Sequence, residues 1–129
     1  MDFNRLIRTN IPDLAQVYGG ARGRTMSSRH QSYAWPALVE SGITQVIDLR
    51  KADSSEKLPL LCDKYKIEYF HYPVDNDKET IVKMVELMPE LCKRIDKGNF
   101  YIACAMGLHR TDITLCVYWV FYGADRGIE

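Results

Sequence analysis

Apolar positions along the chain fall into short β-branched runs separated by longer stretches with helical spacing. Ala15 to Tyr18 predicts a short strand that stops at Gly19-Gly20, and Ile43 to Leu49 predicts a second. Ile67 to Val74 and Phe100 to Ala103 predict two more. Between them, Tyr33 to Ser41 reads as a helix with Pro36 near its start and Gly42 as its C-terminal cap. Glu56 to Tyr65 reads as a helix whose start is limited by Pro59. From Glu79 to Lys97, Ile81, Met84, Val85, Met88, Leu91, Cys92 and Ile95 share one helical face, with Pro89 expected to kink or split the helix and Gly98 to end it. Asp112 to Tyr122 predicts a last helix. Residues 1–13 read as a lead-in, and Ala21 to Ser32 and Asp75 to Lys78 as loops.

This alternation implies an α/β fold: a central, mostly parallel sheet flanked by helices, with a ligand loop at the carboxyl edge after the last strand. With no repeat, low-complexity tract or linker, the 129 residues read as one domain spanning 1–129. A formal net charge of zero removes any global basic field that would favour nucleic acid or a membrane surface. Arg22, Arg24, Arg29 and His30 nonetheless cluster, which reads first as a solvated loop and second as a basic rim attracting a phosphorylated substrate. The four cysteines show no zinc-type pairing, and Cys62, Cys92 and Cys116 fall within helical apolar patterns. With no apolar leader at Met1 to Arg8 and no run of membrane-spanning length, a reduced, cytoplasmic setting is expected.

The stretch with chemistry in it is Cys104-Ala-Met-Gly107-Leu-His-Arg110-Thr111, between the last predicted strand and the last predicted helix. A cysteine at a strand end, followed by a tight loop into a helix N-terminus, sits in the floor of an anion site, because backbone N–H groups and the helix dipole point there. Those features favour the thiolate, the reactive form of the side chain. Arg110 adds a planar fork suited to phosphate oxygens, and Gly107 allows close backbone approach. A buried structural cysteine beside a surface arginine is the plainer alternative, and the strand–loop–helix context argues against it.

Cys104 to Thr111 resembles the C-x5-R-[S/T] signature of the cysteine-dependent tyrosine and dual-specificity phosphatases. Val17 to Gly20, Gly42 to Arg50 and Tyr69 to Asp77 resemble that family's opening strand, the strand ahead of its acid loop, and the strand and loop carrying its general acid. The Gly-x-His-Arg-Thr ending is most similar to the compact atypical dual-specificity phosphatases, a group that includes inositol-pyrophosphate enzymes. The resemblance implies that Cys104 attacks a phosphoryl group and that the amides of Ala105, Met106, Gly107, Leu108 and His109, with Arg110, hold its oxygens. Thr111 would donate its hydroxyl to the thiolate or cap the helix. Asp75 is the preferred general acid, with Asp77 as the alternative and turn-forming aspartates as the structural reading of both. Asp48 reads as structural, and Arg50 as helping to order the loop. No cofactor or metal is implied. The implied partner is a phosphorylated protein or small phosphomonoester, not nucleic acid or membrane, and the oligomeric state stays open.

Three departures from the family pattern bear on activity. Ala103 stands where the family usually has histidine, and Asp112 where it usually has glycine after Arg-Thr. Only 18 residues follow Thr111, where the family continues through further helices, so the chain reads either as cut short at its C-terminus or as a minimal variant whose exposed helix face meets a partner. Within the loop Ala105, Met106 and Leu108 are apolar and only His109 can be cationic, although His109 suits packing against the adjacent loop equally well. That favours phosphotyrosine, with phosphoserine or phosphothreonine beside it, over inositol phosphates. The rival functions are a catalytically weak phosphate-binding module, an inositol (pyro)phosphate phosphatase and a rhodanese-like sulfurtransferase.

Overall fold

The computed structural model describes residues 1–24, 34–51, 57–104 and 109–128. A five-stranded sheet organises it: β1 (Ala15–Val17), β2 (Gly20–Arg22), β3 (Gln45–Asp48), β4 (Glu68–His71) and β5 (Phe100–Ala103). The spatial order is β1-β2-β5-β3-β4, and all neighbours run parallel except the β1–β2 pair. β5 is therefore central, and the expected mostly parallel α/β sheet is present. Its register aligns Asp48 of β3 with Ala103 of β5 and with His71 of β4, which brings three strand ends to one carboxyl edge.

Strand parity divides the core between the two faces of the sheet. Ala21, Val46, Tyr101 and Ala103 face α1 (Phe3–Ile7), α2 (Ala34–Ser41) and α3 (Lys57–Lys64), where Leu6, Trp35, Leu38 and Leu61 complete one cluster. Ile47, Phe100 and Ile102 face α4 (Thr80–Lys97) and α5 (His109–Tyr118), packing against Met84, Met88, Leu91, Ile95 and Leu115. Cys104 continues the parity of Phe100 and Ile102, so it belongs to the α4/α5 face. After α5 the helix widens into a π turn, Trp119–Gly123, and then tightens to a 3₁₀ turn, Ala124–Arg126.

Several expectations need correction. The lead-in contains helix α1, capped by the Asp2 carboxylate on the Asn4 amide and anchored by the buried Leu6. The expected loop from Ala21 begins inside strand β2, and the part from Thr25 to Ser32 lies outside the described residues. β2 can form because Gly20 lacks a side chain; a Cβ there would lie 2.5 Å from the Phe100 carbonyl. Pro89 does not split α4, which runs unbroken for 18 residues. Val85, whose carbonyl loses its helical donor at Pro89, is exposed together with that proline, so water can satisfy the freed group. Ile81 and Val85 flank the buried stripe of α4 rather than joining it and are 60% and 42% exposed. Among the described residues no helix is long and apolar enough to cross a membrane.

Candidate active site

Cys104 follows the central strand directly and is 2% exposed, in the cluster that also holds Leu115 of α5. The Leu49 amide donates to the Ala103 carbonyl at 2.9 Å, so the β3 end holds the residue before the cysteine. All four cysteines are thiols. Burial pushes the Cys62 thiol up to about 12, helped by the Asp48 charge, and burial with the neighbouring Asp96 carboxylate raises that of Cys92. Both are thereby held in the unreactive form. Cys116 lies exposed on α5.

The amide cradle expected of Ala105, Met106, Gly107 and Leu108 lies outside the described residues. Description resumes at His109, which opens α5 three residues earlier than the pattern of the sequence predicts and is exposed. Arg110 is half-buried, and its Nη1 donates to the Val74 carbonyl at 2.9 Å. This bond ties the start of α5 to the segment between β4 and α4. Thr111 is the third residue of α5, so the capping role does not apply to it. Its side chain is fully buried, and Oγ1 has no hydrogen-bond partner among the described residues.

Val74 is buried, and Asp75 directly after it is exposed. The Thr80 hydroxyl organises the turn: it accepts from the Asp77 amide at 2.9 Å and lies 2.7 Å from the carbonyls of both Asp75 and Asp77. Asp77 spends a carboxylate oxygen on the Glu79 amide at 2.8 Å, an Asx-type turn that leads into α4. The Asp75 carboxylate makes no hydrogen bond or ion pair among the described residues. The two candidate acids are thus placed differently, Asp77 within the turn and Asp75 beside the residue that Arg110 holds.

Behind them lies a polar network. Asp48 is 1% exposed and accepts from Arg50 Nε and Nη2 at 3.0 Å each, from the Arg50 amide at 3.0 Å and from the Tyr69 hydroxyl at 2.6 Å. Burial pushes its carboxyl up, but the hydrogen bonds from Arg50 and Tyr69 outweigh this and hold it below the usual carboxylate range. His71 Nε2 sits 2.6 Å from the Arg50 carbonyl, which the protonated nitrogen can satisfy. The Val74 amide donates to the Leu49 carbonyl at 3.2 Å. Asp48 and Arg50 therefore brace the ends of β3 and β4 on one side of Cys104, and the partner that sequence reasoning missed is Tyr69. Its place in a β4 strand aligned with β3 was the available signal.

The cationic cluster also resolves. Arg22 belongs to β2, with Nε 3.4 Å from Asp112 Oδ1, and Arg24 Nη2 lies 3.7 Å from Asp13 Oδ2. The solvated-loop reading is wrong for Arg22, which is 21% exposed. Arg29 and His30 lie outside the described residues.

No protein-family model and no curated relative matches the chain. Solved structures do. A DUF442 protein of Shewanella putrefaciens CN-32, named provisionally as a phosphatase, superposes with a TM-score of 0.70 at 19% identity, over 95% of this chain and 79% of that one. Tk-PTP in its active form gives 0.64 at 20% identity, over 92% and 77%. The catalytic domain of the PP-IP phosphatase Siw14 from S. cerevisiae gives 0.64 at 13% identity, over 83% and 65%. The chain has the fold of the cysteine-based tyrosine and dual-specificity phosphatases.

Proposed function

We propose that the chain is a phosphoric monoester hydrolase acting on phosphotyrosine, and on phosphoserine or phosphothreonine beside it, through a cysteinyl-phosphate intermediate. The observation that carries the reading is the Arg110–Val74 bond at the carboxyl edge, which draws the arginine at the start of α5 to the segment carrying Asp75, whose carboxylate is unengaged among the described residues. In the first step the Cys104 thiolate attacks phosphorus, the ester P–O bond breaks, and Asp75 gives its proton to the leaving oxygen. In the second step Asp75 takes a proton from water, the oxygen forms a bond to phosphorus, and the S–P bond breaks. This releases orthophosphate and restores the thiolate. Arg110 grips equatorial oxygens in both steps, and the Thr111 hydroxyl, buried without another partner among the described residues, donates to the departing sulfur.

Hydrolysis of a generic aryl phosphate by the wild-type chain and by Cys104→Ser tests this. Vanadate-sensitive turnover that vanishes in the serine variant is expected. A wild-type chain that binds phosphopeptide without turnover would establish instead a phosphate-binding module, a reading favoured by Ala103 and the carboxylate of Asp112. A panel of phosphotyrosine, phosphoserine and inositol phosphates separates the substrate classes.

A further inference from the structure

Asp112 is an anomaly for an anion site: a carboxylate in the first turn of the helix that should receive phosphate, two residues after the arginine clamp. It is 53% exposed and within one helical turn of Arg110, so its charge opposes any dianion held at the start of α5. The residue it meets comes from elsewhere in the chain. Arg22 ends β2, aligned with Ile102 of β5, and the Gly23 amide donates to the Ile102 carbonyl at 3.3 Å. Ala21 packs on the α1–α3 face, so parity sends Arg22 to the opposite face, the one to which Ile102 and Cys104 belong. Its guanidinium thus reaches from the strand beside β5 to the first turn of α5, with Nε 3.4 Å from Asp112 Oδ1.

We infer that Arg22 is a positioning residue for the anion site: by neutralising Asp112 it sets the affinity of the α5 N-terminus for a phosphate-monoester dianion. The inference rests on the phosphatase reading above. It makes the two partners act with opposite sign, which a purely structural ion pair does not do. A structural pair is broken equally by losing either end. A neutralising pair leaves a bare carboxylate facing the dianion when the arginine is lost, and an added cation when the carboxylate is lost.

The test is calorimetric titration of orthophosphate into the wild-type chain, Arg22→Gln, Asp112→Asn, the double variant and Arg22→Lys. Arg22→Gln should weaken phosphate about tenfold and Asp112→Asn should tighten it several-fold, about one charge–charge interaction near a protein surface. The double variant should return to within about threefold of wild type, and Arg22→Lys, which keeps the charge, should stay near it. These differences should shrink towards 1 M salt, where the screening length falls to about 3 Å. Single variants that shift affinity in the same direction overturn the inference, as does a double variant as weak as Arg22→Gln, which would mean that Arg22 grips the ligand itself. If Arg22→Gln does not fold, Asp112→Asn decides alone: tighter phosphate supports the inference, and unchanged or weaker phosphate overturns it. A wild-type chain with no affinity for orthophosphate defeats the phosphatase reading and the inference with it, whereas binding with the wrong signs defeats the inference alone.

Discussion

Replacing Asp48 with alanine should destabilise the fold far more than loss of a surface ion pair. The carboxylate is 1% exposed and accepts from three donors of Arg50 and from the Tyr69 hydroxyl. Its removal leaves the Arg50 guanidinium, only 15% exposed, without its counter-charge, and leaves Tyr69 Oη without its acceptor. Breaking one side of a buried pair costs about 3–5 kcal/mol. The residual exposure of Arg50 lets water enter, which places the loss near the lower end, about 3 kcal/mol. For a chain of 129 residues that corresponds to a fall in melting temperature of about 10–12 °C, at about 4 °C per kcal/mol. Thermal and urea melts of Asp48→Ala, Arg50→Met and the double variant are the assay. The double variant should lose at least about 1 kcal/mol less than the two singles added together, because its partners act as a unit. Acid supplies a second arm. The folded-state acidity of Asp48 is stronger than in the unfolded chain, so its contribution is fully present above about pH 4 and is lost as pH falls through the folded value. The gap between wild type and Asp48→Ala must therefore narrow on acidification. A loss under about 1 kcal/mol at neutral pH, or strict additivity, would refute the reading of Asp48 as the brace of this edge.

Asp75→Asn should slow hydrolysis by roughly 10²–10⁴-fold for poor leaving groups and much less for good ones, whereas Asp77→Asn should leave that leaving-group dependence unchanged. The reverse pattern in steady-state kinetics would make Asp77 the acid. Arg110→Lys should remove most activity, since an ammonium cannot reproduce the guanidinium fork, and wild-type turnover in that variant would discard the clamp. Asp96 accepts from Arg126 Nε and Nη2 at 2.6 Å and from the Tyr118 hydroxyl at 2.7 Å, and these bonds hold its carboxyl well below the usual range. Asp96→Asn should accordingly lower the melting temperature at pH 7 and have progressively less effect as pH falls below about 4, because the group is more acidic folded than unfolded.

What could be read in advance follows from the range of the interaction that creates each element. α4 and β5 are local statements of periodicity and were legible almost to the residue. β2 was not, because Gly20-Ala-Arg22 has no intrinsic preference for strand; it is extended only because β1 and β5 pair with it and Gly20 clears the Phe100 carbonyl. α1 carried a readable cap in Asp2, but five residues are too few for periodicity, and burial of Leu6 under α2 decides the matter.

The site divides in the same way. Cys104, Arg110 and Thr111 fall between the end of β5 and the first turn of α5, so spacing alone groups them as candidates. The contact that links them to the candidate acid is made by a backbone carbonyl, at Val74, and every residue type has one, so no side-chain pattern could announce it. Asp112 shows how far spacing can mislead: in sequence it is an intrusive negative charge beside the clamp, and only the sheet order reveals the arginine that answers it. β2 and β5 are neighbours although about eighty residues separate them, and a parallel crossover of that length leaves no trace in either segment. The motif names the groups proposed to do the chemistry, and the topology decides what charge surrounds them.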